Sequence, residues 1–162
     1  MISYHNGDIF DSTANIICHQ VNCMGVMGAG LAKQVKKKCP DAFNRYLDFV
    51  RKERHSKGDT KGLLGRCCIG AFDGVEEKYV ANLFGQYNYG NDGRKYTDLK
   101  ALEEAFANCR NFAEVCDYSI AIPFGIGCGY GGADWITEVR PMIEDVFKGF
   151  RNEVEIWSYN RG

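Results

Sequence analysis

Three side chains of the types that move protons or hold hydroxyl groups stand near clusters of glycines. His19 lies in the apolar run Ile17-Cys-His-Gln20, Asn22 follows three residues later, and Asp134 closes a glycine-rich stretch near the other end of the chain. A histidine titrates close to neutral pH and serves as a general acid or base. An isolated one inside a strand is equally a packed, hydrogen-bonded core residue. The Asn22 amide donates and accepts at once. Asp134 reads either as an acid–base group or as the N-cap of the helix that follows it.

The glycines give these residues a setting. Residues 118–135 run from an apolar segment, Ile120–Phe124, into Gly125, Gly127, Gly129, Gly131 and Gly132, and then into a segment with helical character. A second unit has the same grammar: the strand Asn15–Val21, a loop containing Gly25, Gly28 and Gly30, then Leu31–Cys39 as a helix. Glycine lets backbone amides approach a ligand with no Cβ in the way. A helix N-terminus behind such a loop adds unsatisfied N–H groups and a favourable dipole. Two such units imply a ligand with two phosphates. Neither is a P-loop, since no Lys-Ser/Thr follows. Gly127-Cys-Gly129-Tyr-Gly-Gly132 matches G-x-G-x-x-G by letter, but no helix, strand and ribose-binding acid follow it, so a Rossmann reading fails on context.

The elements that would position these loops alternate along the chain. Apolar runs predict strands at Ile2–His5, Asn15–Val21, Arg66–Phe72, Lys78–Phe84, Tyr118–Phe124 and Glu153–Tyr159. Most are short and continuous, as in a sheet buried on both faces, while the first and last alternate like edge or half-covered strands. Asp73-Gly74 between the third and fourth predicts a hairpin. Helices are predicted at Gly28–Cys39, Pro40–Arg54, Thr97–Cys116 and roughly Asp134–Phe147, with Pro141 kinking or offsetting the last. The expected architecture is α/β, a three-layer α/β/α sandwich around a central mixed sheet of about six strands, with residues 1–162 forming one domain.

Composition sets limits. The chain has 162 residues, 45% hydrophobic and 25% charged, with a net charge of −1, which argues against a dedicated nucleic-acid footprint. The run Lys33, Lys36, Lys37, Lys38 reads as a solvated helix face near a C-terminus. No membrane-spanning stretch and no secretory leader are evident. Cys18, Cys67, Cys68, Cys109 and Cys116 fall inside apolar patterns and read as small core residues in a reducing compartment, hence a cytoplasmic protein. No C-x-x-C pair or useful histidine spacing points to a metal, and no cofactor is expected.

Taken together, Asn6-Gly-Asp-Ile-Phe10, the stretch Ile17-Cys-His-Gln-Val-Asn-Cys-Met-Gly-Val-Met-Gly-Ala-Gly-Leu31, and Ile122-Pro-Phe-Gly-Ile-Gly-Cys-Gly-Tyr-Gly-Gly-Ala-Asp-Trp135 make the chain resemble the macro domain, an ADP-ribose-binding module. The resemblance covers nearly the whole sequence. It is strongest to the branch holding the yeast-type ADP-ribose 1″-phosphate phosphatase and the DNA- or glutamate-directed ADP-ribosyl glycohydrolases. It implies that Asp8 accepts a hydrogen bond from the adenine amino group beside the Ile9 amide, with Tyr159 as an adenine neighbour. Asn22 with Gly28, Ala29 and Gly30 would hold the distal ribose and part of the diphosphate. Gly125, Ile126, Gly127, Cys128, Gly129 and Tyr130 would wrap the diphosphate, and His19, Asn22 and Asp134 become the candidate catalytic groups.

The resemblance implies a hydrolase acting on an ADP-ribose derivative, or alternatively a non-catalytic reader of ADP-ribose marks. The partner would be ADP-ribose or its derivative, with nucleic acid entering only as an ADP-ribosylated substrate, no membrane, and the protein a monomer. One departure bears on mechanism. The lysine that the glycohydrolases place after the strand matching Tyr79–Phe84 falls at about Gln86, and the acid that works with it is Gly131. An amide forms no covalent ribosyl adduct, whereas attack by a bound water on a phosphate or acyl ester needs no lysine.

Overall fold

The computed structural model describes residues 1–159. Six strands form one mixed sheet: β1 (Ile2–Asn6), β2 (Ile16–Val21), β3 (Cys67–Ala71), β4 (Tyr79–Phe84), β5 (Ile120–Pro123) and β6 (Val154–Ser158). Their order is β1-β6-β5-β2-β4-β3, and only the β3–β4 pair is antiparallel. That pair is the hairpin expected from Asp73-Gly74, with Gly74 at φ +82°. The C-terminal strand β6 alternates as an edge strand would, but it lies inside the sheet, between β1 and β5.

Alternation along the buried strands feeds two cores. Ile16 and Cys18 of β2 face one side with α3 (Leu99–Cys116) and α4 (Arg140–Val146). Ile17 and Val21 face the other with α1 (Gly30–Lys38) and α2 (Pro40–Lys57). The stripe Leu102, Phe106, Cys109, Ala113 seats α3 on the sheet. On the opposite layer α2 lies so close to β3 that a Cβ on Gly70 would stand 2.9 Å from the Ala42 Cβ. Cys18, Cys68 and Cys109 are buried as expected, Cys67 and Cys116 partly so, and all eight thiols are free.

The last helix departs from the expected span. It begins as a π turn, Trp135–Val139, and becomes α-helical only at Arg140. Pro141 is the reason: it has no N–H to bond the Thr137 carbonyl, and its ring collides with that carbonyl in a regular helix. The wider turn instead bonds Val139 N–H to the Asp134 carbonyl at 3.0 Å. No helix among the described residues is long and apolar enough to cross a membrane.

Candidate functional site

β2 and β5 are adjacent and parallel, yet the chain leaves them toward opposite faces. From β2 it runs through residues 22–29 into α1, and from β5 through residues 124–134 into the π turn and α4. Such a switch point opens a crevice at the carboxyl ends of the strands, the usual ligand position in an α/β sheet. A cleft of about 640 Å³ lies there. The first loop contributes Asn22, Val26, Gly28 and Ala29, and the second contributes residues 124–127 and 129–131. His19, Gln20 and Val21 lie beneath, and Gln86 with residues 89–91 forms the third wall. None of the lining side chains is a lysine, arginine, aspartate or glutamate.

The charge the cleft offers comes from its backbone. In the second loop the amides of Ile126, Cys128, Gly132 and Ala133 close turns within the loop. Among the described residues, those of Gly125, Gly127, Gly129, Tyr130 and Gly131 find no protein acceptor. Gly125 and Gly127 both sit at φ +76°, which only glycine adopts freely. Across the cleft α1 opens with no acid in its first turn and no side-chain cap. Its first amides therefore stay free, beside Leu31 and Ala32, which line the cleft. Two sets of unpaired amides thus border the cleft, with no cationic side chain among the described lining residues.

The first loop is pinned from below by a residue that sequence reasoning missed. Tyr46, fully buried on α2, accepts from Gly25 N and Val26 N at 3.0 and 3.1 Å. Its hydroxyl oxygen lies 2.8 Å from both the Asn22 carbonyl and Asn22 Oδ1, which share its single donated hydrogen. Asn22 Oδ1 also accepts from Met24 N, and Nδ2 donates to the Val26 carbonyl. One Nδ2 hydrogen of Asn22 remains for a ligand. The only trace of Tyr46 in the sequence is its place on the buried stripe Ala42, Tyr46, Val50.

His19 points into the α1–α2 layer and is 2% exposed. Its Nε2 lies 2.5 Å from Asn82 Oδ1 on neighbouring β4, while Asn82 Nδ2 donates to the Ala42 carbonyl. That orientation of Asn82 makes Nε2 the protonated nitrogen and leaves Nδ1 a buried lone pair with no partner. Burial pulls the imidazole down to about 4, against the smaller opposing effect of the Asn82 hydrogen bond. At neutral pH the ring is uncharged. Neither nearby thiol supplies a nucleophile: burial pushes Cys23 up to about 12, and burial with the charges of Asp134 and Glu138 pushes Cys128 up to about 11.

On the other face of β2, Gln20 Nε2 donates to Gln86 Oε1 at 2.7 Å and to Thr97 Oγ1 at 2.9 Å. Thr97 Oγ1 donates onward to the Gly127 carbonyl. This relay, also missed from the sequence, ties the cleft floor and its third wall to the second loop. It occupies the Gln86 amide oxygen, at the position where the resemblance leads one to look for a lysine. A Cβ at Gly131 would stand 2.5 Å from the Gly127 carbonyl oxygen, so the loop as folded has no room there for the acid.

The remaining candidates lie off the cleft lining. Gly30 begins α1, and the Cys128 thiol turns back to the Ile126 carbonyl. Asp134 caps the π turn, accepting from Thr137 N at 2.8 Å, while its own N–H donates to Glu138 Oε1. The Thr137 amide, then its hydroxyl, holds the Asp134 carboxyl below its ordinary range. Asp8 caps a short turn, Ile9–Asp11, by accepting from Phe10 N. Asp8 and Ile9 follow β1 and Tyr159 follows β6, so they extend the same carboxyl edge away from β5, and Tyr159 is 69% exposed. Among the described residues no three histidine, cysteine or acidic side chains are grouped to hold a metal ion.

Residues 18–142 match the family model described as Macro domain. The chain belongs to the macro domain family. This macro domain is 29% identical, over 91% of its length, to a DNA ADP-ribosyl glycohydrolase of Mycobacterium tuberculosis, and spans 39% of that relative. It is 34% identical, over 70% of its length, to an ADP-ribose 1″-phosphate phosphatase of Meyerozyma guilliermondii, and spans 59% of it. Its fold is similar to that of Thermosipho africanus DarTG in complex with ADP-ribose, with a TM-score of 0.78 at 20% identity, covering 99% of this chain and 42% of the other.

Proposed function

We propose that this macro domain binds ADP-ribose and hydrolyses an ADP-ribose derivative at the distal ribose, either the 1″-phosphate or an ester-linked ADP-ribosyl adduct. The observation that carries this reading is the pair of free-amide sets that border a cleft with no charged side chain among the described residues. A diphosphate brings two negative charges, and oriented N–H groups meet them without an ion pair. In this reading the second loop, with Cys128 contributing backbone, wraps the diphosphate. The first loop with Asn22 and Gly30 holds the distal ribose, and Asp8, Ile9 and Tyr159 receive the adenine. One chain supplies both glycine loops of the cleft, which suits a monomer, and eight unbridged cysteines suit a reducing compartment such as the cytoplasm.

Turnover in this site rests on a bound water. The water attacks the phosphorus or acyl carbon, and the bond to the ribose oxygen breaks. That oxygen leaves as the ADP-ribose hydroxyl by taking the proton the water gives up, its developing charge met meanwhile by backbone dipoles. Asn22 orients the ribose through its remaining N–H. Neutral His19 is too weak a base near pH 7 to take the proton efficiently, so its role is to hold the cleft floor through Asn82. Asp134 holds the π turn. Asp134→Asn is therefore expected to keep turnover within about twofold of the parent, because asparagine and aspartate cap equally well. A rate loss of a hundredfold or more, measured under saturating substrate, would restore Asp134 to the chemistry.

That no charged side chain lines the cleft among the described residues favours a second reading, a reader that binds ADP-ribose marks and leaves them intact. Incubation with ADP-ribose 1″-phosphate, with serine-, glutamate- and DNA-linked adducts, and quantification of released ADP-ribose by mass spectrometry separates the two. Release from the 1″-phosphate or an ester-linked adduct supports the hydrolase. Binding of ADP-ribose with no release from any of them overturns it in favour of the reader.

A further inference from the structure

The net charge of −1 conceals a strong segregation. Residues 30–66, which form α1, α2 and the turn after them, carry eleven lysines and arginines against four acids, a net of +7, and the rest of the chain carries −8. All eleven basic side chains are exposed. Arg45 pairs with Asp41, and Lys57 and Arg66 share buried Glu53. The other eight make no ion pair among the described residues, including Lys33, Lys36 and Lys37 on α1 and Arg51, Lys52 and Arg54 on α2. Because α1 and α2 share one face of the sheet, these charges fall on one layer. The opposite layer, residues 98–148, holds nine acids and four bases.

We infer that the α1–α2 layer is a docking surface for a nucleic-acid backbone. A phosphodiester chain is a dense line of negative charge, and lysines and arginines that displace its counterions bind it without reading sequence. The patch is purely electrostatic: no large apolar side chain between residues 30 and 66 is exposed. That leaves nothing to insert into a membrane or to anchor an amphipathic peptide. Its position matters as well. α1 starts at the cleft, where Leu31 and Ala32 are lining residues and Lys33 is the next along the helix. On the ADP-ribose reading above, from which this placement follows, the distal ribose lies on the first loop. A macromolecule attached to that ribose leaves across α1 and onto the basic layer.

The test is fluorescence anisotropy of the intact protein with labelled, unmodified 20-nucleotide single-stranded DNA, duplex DNA and RNA, alongside titration with ADP-ribose. With about four phosphate contacts, affinity should fall about a hundredfold between about 50 and 200 mM salt. Lys36→Glu with Lys37→Glu, and separately Arg51→Glu with Lys52→Glu, should each weaken oligonucleotide binding about tenfold or more at low salt. ADP-ribose affinity should stay unchanged in both, and the alanine pairs should show a smaller loss of the same kind. No oligonucleotide binding at low salt overturns the inference. So does wild-type affinity in both charge-reversed pairs, or tighter binding to phosphatidylserine vesicles than to any oligonucleotide. Loss of the ADP-ribose signal alone overturns the cleft assignment and leaves the oligonucleotide result to judge the basic layer by itself.

Discussion

Gly129→Tyr is expected to abolish ADP-ribose binding while leaving the fold untouched. Gly129 lines the cleft, and a Cβ built there meets no protein atom within 4 Å. Its backbone does not lie in the left-handed region, so a side chain costs no strain. A tyrosine at this point adds bulk to the cleft wall that the proposed function assigns to the diphosphate. Affinity should fall by about a hundredfold or more, about 2.7 kcal/mol, with the melting temperature within about 2 °C of the parent. Gly131→Ala is the contrasting control: its Cβ meets the Gly127 carbonyl oxygen, and overpacking of this kind costs about 1–3 kcal/mol of stability. Calorimetric titration and thermal unfolding of both variants check the pair. Undiminished binding by a folded Gly129→Tyr protein would mean that the second loop does not hold the diphosphate.

The second large effect is on stability as pH falls. His19 is held neutral, with its titration lowered from 6.5 to about 4 by burial, so the unfolded chain binds its proton first. The unfolded state then carries more protons between these values, and stability drops as pH falls through that window. The sign is the reverse of a histidine with an acidic partner: the contribution is intact above 6.5 and lost toward 4. The whole gap is worth about 3 kcal/mol, of which about 2 kcal/mol is lost by pH 5.

Carboxylates such as Asp41 lose stability in a separate range. Asp41 is lowered chiefly by the Ala71 amide, and its contribution disappears below the ordinary aspartate pKa as the carboxyl protonates. His19→Gln keeps a donor for Asn82 and removes the titration. Urea unfolding at pH 7.5 and pH 5 should show the parent losing about 2 kcal/mol more than the variant. Equal losses would mean that His19 takes up its proton in the folded protein as readily as in the unfolded one.

Much of the frame was legible because short apolar runs, glycine punctuation and helical stripes are local signals. β2, β5 and the glycine loops after them announce the cleft, and Asp73-Gly74 announces the hairpin. The contacts that shape the cleft are not local. Tyr46 reaches Asn22 from 24 residues away, and Gln20 meets Thr97 across 77 residues, pairings that only the sheet order brings together. His19 shows the same limit in another form. Its residue type fits proton transfer, but its facing direction on β2 and its register with Asn82 bury it in a layer that keeps it neutral. The basic layer was hidden in plain composition, since a near-zero total says nothing about how charge divides between the two faces of a sheet.

The most direct measurement of the central claim is isothermal titration of the unmodified protein with ADP-ribose, with AMP and ribose 5-phosphate as its two halves. A cleft bordered by two sets of unpaired amides predicts one ADP-ribose per chain, with each half binding far more weakly because neither carries a diphosphate. The absence of any heat with ADP-ribose at concentrations of hundreds of micromolar would contradict the account, as would AMP binding as tightly as the whole molecule.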